Sequence, residues 1–576
     1  MNELFKLDNI KIKPPIKREK EKDIVAAAVS KKLRLNAGQL DNITIVRRSL
    51  DARKKNDIVW IYSAAFAFKC SKNETEKILR RNKEISVYSP VKYEILTSRI
   101  SETGITDERK GSMDTASCCG KERPFVVGSG PAGLFCAYSL SLAGFCPIVV
   151  ERGDSMEERI RKVDAFFAGG ELDTDSNIQF GEGGAGTFSD GKLFSHLHDK
   201  SGRTEFILKT FVEYGANPDI LYDNKPHIGT DVLRRVIVNM RTAMEAMGAE
   251  FRFGTTFIEP VEKDGVLTGA RFKDRKGNVT EQECGILVFA PGHSARDTFQ
   301  NIHAAGIPME SKPFAVGFRI MHSQEMIDFS QYGQKRDAYK LPPADYKLTG
   351  HTASGRAVYS FCMCPGGYVV NASSEKGRLA VNGMSNRDRA SAFSNSAIVA
   401  GVSREDFGDG LFDGMYFQQM LEKKAYELAG GKIPVERYGD YRNNAKNGFS
   451  PSSLTGYTEN ANDIPGAAGS SVCNMPLMGG FEYASLRAIL PERLNSDIIE
   501  AMSYFGTRIK GFDGDDALLA GVETRTSSPV RVVRGEDLQC SLKGFYPCGE
   551  GAGYAGGITS AAADGLKVAE MIMVNK

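Results

Sequence analysis

The sequence predicts an α/β protein assembled from several folding units, and three observations carry that reading. The chain has 576 residues, too many for one compact core at roughly 150 residues per domain. Residues 1–100 alternate strand-like and helix-like periodicities and are strongly basic. Residues 124–151 then run strand, glycine-rich turn, helix, strand, the order of a Rossmann-like nucleotide-binding unit. With 41% hydrophobic and 25% charged residues, the composition is that of a globular protein and not of a disordered one. The 60 glycines exceed the usual ~7% share without a collagen-like period. Tight turns with close backbone approach are expected.

The N-terminal unit, 1–100, opens with a strand near Phe5 to Ile10. Ile24, Val25, Ala28, Val29 and Leu33 then form a helical stripe. Ile43 and Ile45 alternate with polar neighbours, and Ile58 to Tyr62 is an apolar run. Asn73 with Glu76 three residues later marks a capped helix start, and Ile85 to Val91 is extended. The resulting β-α-β-β-α-β order is ferredoxin-like. This unit holds 23 Lys/Arg against 12 Asp/Glu, or +11, while the remainder holds 51 against 60, or −9. Such asymmetry points to an acidic partner.

Residues 101–122 are polar and aperiodic, a linker in which Cys118 and Cys119 read as free thiols. Eleven cysteines without a disulfide-framework spacing favour a reducing, cytoplasmic setting. No run of about 20 residues is apolar enough to span a bilayer, and Met1 to Pro15 lacks an apolar signal-peptide core. No membrane partner is expected.

The most specific signal follows. Pro124 to Val127 is a short buried strand, Gly128-Ser129-Gly130-Pro131-Ala132-Gly133 comes next, and a helix runs on through Leu142. Ile148 to Val150 closes the unit with Glu151, 18 positions beyond the third glycine. Gly128 makes the tight turn, Gly130 admits the pyrophosphate and Gly133 allows close helix–strand packing. The helix N-terminus offers free N–H donors to phosphate. Glu151 can accept from a ribose diol. This context indicates a dinucleotide, without separating FAD from NAD.

Resemblance makes that distinction. The Gly128–Gly133 motif with Glu151-Arg152-Gly153 resembles the N-terminal half of the large FAD-dependent oxidoreductase superfamily. Its members also carry a late Gly-Asp or Gly-Glu motif whose acid holds the ribityl chain, which the resemblance places at Gly549-Glu550. The apolar helix from Thr559 to Met573 follows Gly556, Gly557 and Ile558, and in the superfamily it faces the pyrimidine end of the isoalloxazine. The strand ending Ala290-Pro291-Gly292 resembles the one that returns to the dinucleotide unit, with Pro291 where Thr is usual. A second glycine loop, Phe180 to Lys192, contains Gly184, Ala185, Gly186 and Thr187, and reads as a loop over the pyrophosphate or flavin. More narrowly, GSGPAG, FGEGGAGTFSDGKL, KPHIGTD, APGHSARDTF, YSFCMCPGGYVV, VNGMSNRDR, GVETRTSSPVR and GEGAGYAGGITSAAADG, spanning 125–565, resemble a bacterial family of FAD-dependent dehydrogenases. That resemblance names the cofactor and not the reaction.

The implied layout is an FAD-binding domain in two parts, 123–310 and 521–576, with an inserted α+β substrate or cap domain at 311–520. No second nicotinamide-binding unit occurs, and no C-x-x-C lies beside the flavin motif, which argues against a disulfide reductase. NAD(P)H can still reach a flavin transiently. On an extended strand Cys362 and Cys364 would share a face, with Cβ atoms beyond the ~3.8 Å of a disulfide. They read as small core residues, with an electron relay or a metal pair as the alternatives. His196 and His198 lack a third ligand, so no metal is expected. Lys192, His196, Arg387 and Arg525 are candidates to face a substrate or the flavin, and no catalytic residue is singled out.

The expected function is that of an FAD-dependent oxidoreductase acting on a small molecule. Its basic unit would dock an acidic electron carrier. A flavoprotein acting on RNA and a non-catalytic FAD-containing scaffold or sensor are the alternatives. Nucleic acid is disfavoured because the positive charge is spread through the unit, and Trp60 and Tyr62 sit in an apparent core strand.

Overall fold

The computed structural model describes residues 3–36, 38–95, 122–193, 199–444 and 475–575. The linker cysteines Cys118 and Cys119, and His196 and His198, lie outside the described residues.

Four three-residue strands, Phe125–Val127, Ile148–Val150, Leu287–Phe289 and Phe545–Pro547, are buried on both faces. Total burial of this kind belongs to parallel sheets covered on both sides. They form, with Glu250–Arg252, a five-stranded sheet in the order Phe545–Pro547, Leu287–Phe289, Phe125–Val127, Ile148–Val150, Glu250–Arg252. Each neighbouring pair is parallel. The strand period of two divides the side chains cleanly. Val126, Val149 and Val288 pack under the helices Pro131–Leu142 and Ile558–Asn575. Phe125, Val127, Val150 and Phe289 instead meet Phe257 and Phe272 of an antiparallel three-stranded sheet, Thr255–Lys263, Val266–Asp274 and Val279–Glu283.

Small residues let those two helices touch. A Cβ on Gly565 would stand 2.1 Å from the Ala132 carbonyl oxygen, so the backbones are in contact there. The dinucleotide half of the sheet and the last helix of the described chain therefore share one packed seam.

Between Leu287–Phe289 and Phe545–Pro547 the chain builds a seven-stranded sheet. Its order is Thr349–His351, Ala357–Cys364, Phe393–Val402, Phe314–Ser323, Leu518–Glu523, Ile433–Arg437, Phe481–Tyr483. Strand Leu518–Glu523 carries this sheet three residues past 520. In the strand Ala357–Cys364 the ladder slips: Phe361 stands opposite Ala397, and Cys364 opposite Asn395. Three steps on one strand match two on its partner, a β-bulge, and Cys362 has φ +45°. The regular spacing expected for Cys362 and Cys364 is thus absent.

The first unit is a four-stranded antiparallel sheet in the order Leu40–Asp51, Val59–Phe68, Phe5–Ile12, Ile85–Val87. Helices Glu21–Leu33 and Lys72–Arg81 complete a β-α-β-β-α-β succession. The second helix starts two residues before the Asn73–Glu76 spacing predicts. Ser71 and Glu74 form its capping box, with Glu74 N donating to Ser71 Oγ at 3.3 Å and Ser71 N to the Glu74 carboxylate at 3.0 Å.

The unit is joined to the rest of the chain by both backbone and charge. Arg48 N donates to Tyr222 O at 2.7 Å, and Asn224 N to Arg48 O at 2.9 Å. The buried Arg48 guanidinium bridges Glu21 at 2.7 Å and Asp223 at 2.6 Å. It also lies over the Trp60 ring at 5.1 Å. Tyr62 is buried with its hydroxyl donating to Glu21 at 2.7 Å.

Cys70, Cys136, Cys284, Cys362, Cys364, Cys540 and Cys548 are free thiols, and Cys146 is disulfide-bonded. Among the described residues, no helix is long and apolar enough to cross a membrane.

Candidate functional site

One continuous cleft runs from the glycine turn after the central strand of the parallel sheet to the bulged strand of the seven-stranded sheet. At the first end stand Gly128, Gly130, Pro131, Ala132 and Glu151; Gly184, Ala185 and Gly186 face them from the second glycine loop. Ala290 and Gly292 line the middle, and Glu550, Gly557 and Ile558 close the far wall. Thirteen of the eighteen residues expected to hold the dinucleotide thus meet in one space.

The glycines of the turn divide by what they face. A Cβ on Gly128 would lie 2.2 Å from Ala290 O, and one on Gly133 would lie 2.0 Å from Gly128 O. Backbone packing demands both. A Cβ on Gly130 would have only Gly184 Cα within 4 Å, at 3.8 Å, and those of Gly292 and Gly556 would meet nothing. Their open sides give onto the cleft, the room a pyrophosphate needs. Helix Pro131–Leu142 starts at Gly130 with no side-chain cap. Its first N–H groups are free to bind an anion. The protein therefore fits a dinucleotide there.

Five expected residues act from behind the wall. Ser129 is buried and donates through N at 3.0 Å and Oγ at 2.8 Å to Glu151. Gly133 serves the helix–strand contact just described. Arg152 is turned away: it pairs with Asp297 at 2.9 Å and lies over the Phe180 ring at 4.6 Å. It positions Phe180, which does line the cleft. Thr187 is buried, its carbonyl accepting from Thr230 Oγ1. Gly549, with φ +78°, donates to Asp564 at 2.8 Å and so aims Glu550 at the cleft.

Glu151 has more to do than the motif suggests. Besides the two bonds from Ser129, its other carboxylate oxygen accepts from Gly153 N at 2.9 Å and Gly181 N at 3.0 Å. A carboxylate offers about four lone-pair sites, and this one organises two loops with them. A ribose would share these acceptors with the protein.

The far end is polar and was mostly illegible in sequence. Glu550 pairs with His293 Nδ1 at 3.0 Å, and His293 Nε2 is buried without a hydrogen-bond partner among the described residues. Lys192 and Asp190 stand 2.9 Å apart. The pair is close but not aligned as a hydrogen bond, so the buried ammonium has donors to offer the cleft. Burial would raise the Asp190 carboxyl, yet Lys192 and Arg389 more than offset it and hold it well below the usual range. Burial likewise opposes the Lys192 charge, and Asp190 restores it, keeping the ammonium above its ordinary value.

Cys362, Phe361, Asn382 and Glu523 complete this end. Behind them Arg319, fully buried, donates to Glu523 at 2.8 Å, Asn382 at 2.8 Å, Asn395 at 3.1 Å and the Cys362 carbonyl at 2.9 Å. Burial pushes the Glu523 carboxyl up, against the pull of Arg319.

Of the two other arginine candidates, Arg525 lines the cleft. It is held there by Glu422 at 3.2 Å and Ser294 at 3.1 Å. Arg387 is not in the cleft: it pairs with Asp219 and with His227. Among the described residues no group of His, Cys, Asp and Glu is arranged to hold a metal.

A parallel sheet with an uncapped helix start, two glycine loops and an open cleft between them defines a dinucleotide-binding protein. The comparisons give the family. A family described as "FAD-dependent protein, C-terminal domain-like" matches residues 313–526, and a domain of unknown function matches residues 6–67. A protein of Clostridium beijerinckii described as uncharacterized is 39% identical over 559 residues, 96% of each chain. The chain belongs to this family of FAD-dependent proteins, and FAD is its cofactor. Solved structures that align with it include a geranylgeranyl bacteriochlorophyll reductase-like protein of Thermoplasma acidophilum, at 10% identity and TM-score 0.33 over 79% of both chains. An L-proline dehydrogenase of P. horikoshii aligns at 13% identity and TM-score 0.30, over 79% of this chain and 94% of that one.

Proposed function

We propose that the chain is an FAD-dependent oxidoreductase that passes a hydride or electrons to or from a small molecule admitted beside Phe361, Cys362, Asn382 and Glu523. One observation carries this reading: the cleft that fits the dinucleotide continues without a break into a cluster of proton-bearing and cationic groups. Bound FAD would supply two-electron redox chemistry at this place.

The residues have distinct tasks in this reading. Gly130, Gly184 and the start of helix Pro131–Leu142 bind the pyrophosphate, and Glu550 with His293 orients the ribityl chain. Lys192 sets positive charge against the flavin end. Glu523, its carboxyl raised by burial, faces the cleft as a proton acceptor, and Arg319 keeps it in place. Phe361 excludes water from one wall.

The electron partner is NAD(P)H arriving transiently or an acidic electron carrier docked on the basic N-terminal unit. From the seven free thiols among the described residues, set against the one disulfide-bonded Cys146, we infer a cytoplasmic setting. The decisive test is purification followed by anaerobic mixing with NADH, NADPH and a reduced ferredoxin, with flavin absorbance as the readout. Bleaching by one donor and reoxidation on adding a metabolite would support an oxidoreductase. A flavin that no donor reduces, with FAD fully bound, would favour the scaffold or sensor.

A further inference from the structure

We propose that Cys362 and Cys364 form a redox couple that exchanges two electrons with the flavin, so that electrons enter or leave the cleft through a disulfide made on the bulged strand. The inference deepens the oxidoreductase reading and rests on it.

Four features of the structure converge on these two thiols. Cys362 lines the cleft, half-buried, although it lies in the middle of a sheet. Cys364 sits directly behind it, fully buried, with Sγ donating to the Cys362 carbonyl at 3.3 Å. The bulge compresses the two-residue advance between them. A regular strand advances about 6.6 Å over two residues, longer than the 5.5–6 Å Cα separation typical of a disulfide. The left-handed φ of +45° at Cys362 is uncommon for a residue that is not glycine, and backbone strain of this kind gathers at functional sites.

The surroundings suit thiolate chemistry. Cys364, acting as hydrogen-bond partner, lowers the Cys362 thiol, and the Lys192 and Arg319 cations lower it further. Cys364 is pushed the other way by the same contact and by burial. Of the two, Cys362 is the thiol that lines the cleft and is placed to attack. Lys192 has a buried ammonium with donors to spare, and it lines the cleft together with Cys362.

The step balances without another reagent. Oxidising the pair breaks two S–H bonds and forms one S–S bond. Two electrons and one proton pass to FAD, and the second proton passes to Glu523 or to water. The reverse step opens the disulfide and reoxidises the flavin. Neither cysteine belongs to the glycine loops or to the Glu550 segment that this reading assigns to the cofactor.

The holoprotein can be titrated anaerobically with dithionite after treatment with diamide and desalting. A redox pair gives four electrons per FAD in the parent and two in Cys362→Ser and in Cys364→Ser. In parallel, the parent is alkylated with iodoacetamide before and after reduction, and peptides carrying both residues are weighed. The pair should block alkylation in the oxidised protein and gain two adducts after reduction. This arm needs no variant, so a substitution that fails to fold leaves the question answerable. Uptake of two electrons by the parent, with both thiols alkylated after diamide, would overturn the proposal and leave the flavin reading standing. A protein without reducible flavin would instead overturn that reading first.

Discussion

Gly130 and Gly133 stand three residues apart in one turn, yet their replacement should have opposite consequences. At Gly130 the space for a side chain is open in the protein and is taken only by the cofactor. Gly130→Val should therefore fold with an unchanged apoprotein melting temperature and purify without flavin. At Gly133 a single methyl would sit 2.0 Å from Gly128 O. Gly133→Val should lower the melting temperature whether or not FAD is supplied. Absorbance of bound flavin and thermal unfolding of both variants check the pair, and a yellow Gly130→Val protein would displace the pyrophosphate from this turn.

Glu436 offers a second test at a single side chain. It is buried and accepts from Leu486 N at 2.8 Å, and burial raises its carboxyl to about 7. The unfolded chain would ionise it near 4.3. Between these values the folded protein binds the extra proton, so stability falls as pH rises through the window. At about 1.4 kcal/mol per unit the loss is on the order of 3 kcal/mol. Glu436→Gln, which keeps the acceptor and removes the charge, should flatten that dependence and be the more stable protein at pH 8. Parallel unfolding curves for parent and variant from pH 5 to 8 would refute the assignment.

At the scale of elements, the helix Asp413–Leu428 supplies Glu422 to two buried guanidiniums, Arg296 at 2.8 Å and Arg525 at 3.2 Å. Those arginines come from different parts of the chain, so one carboxylate ties the inserted sheet to the cleft wall. Removing one partner of a buried ion pair costs about 3–5 kcal/mol, because the other charge stays behind unpaired. Glu422→Gln should cost that much in a denaturant titration, with a matching loss of flavin retention. An unchanged midpoint would mean that water or Glu375 takes over both cations.

The elements also show what sequence can and cannot disclose. The strand–turn–helix–strand of 124–151 was readable because its parts are adjacent in the chain and each follows from local sterics. The same holds for the strand and glycines of 545–558. Asp190, Lys192, Cys362, Asn382 and Glu523 come together from four separated stretches, and no spacing rule connects them. The regular spacing expected of Cys362 and Cys364 fails for a further reason. Period-two geometry assumes an unbroken ladder, and the slip between Phe361 and Cys364 has no local signature. Arg152 followed the motif in sequence but found Asp297 and Phe180 instead of the cleft.

For the whole molecule, the basic unit satisfies part of its charge internally through Arg18, Arg47 and Arg48, which meet residues 219–224. Many of its other cations remain at the surface, Lys54 and Lys55 among them. Docking of an acidic carrier on such a face is screened over about 10 Å at 0.1 M salt, and the gain is in association rate. Flavin reduction by a reduced ferredoxin should slow several-fold between low and moderate ionic strength. The Lys54→Glu, Lys55→Glu double variant should lose most of that dependence. Salt-independent reduction would rule out this role for the unit.

The seam between Ala132 and Gly565 has a consequence for how the holoprotein is made. The first glycine turn leaves the ribosome more than 400 residues before the helix that packs on it. At 5–20 residues per second, that is an interval of roughly 20 to 80 seconds. Until that helix is synthesised the cleft lacks the wall that Gly557 and Ile558 supply, and the nascent chain exposes the face of Pro131–Leu142 that packs against it. Flavin should therefore be captured only after helix Ile558–Asn575 is made, so a message truncated before it should yield a chain that added cofactor does not rescue.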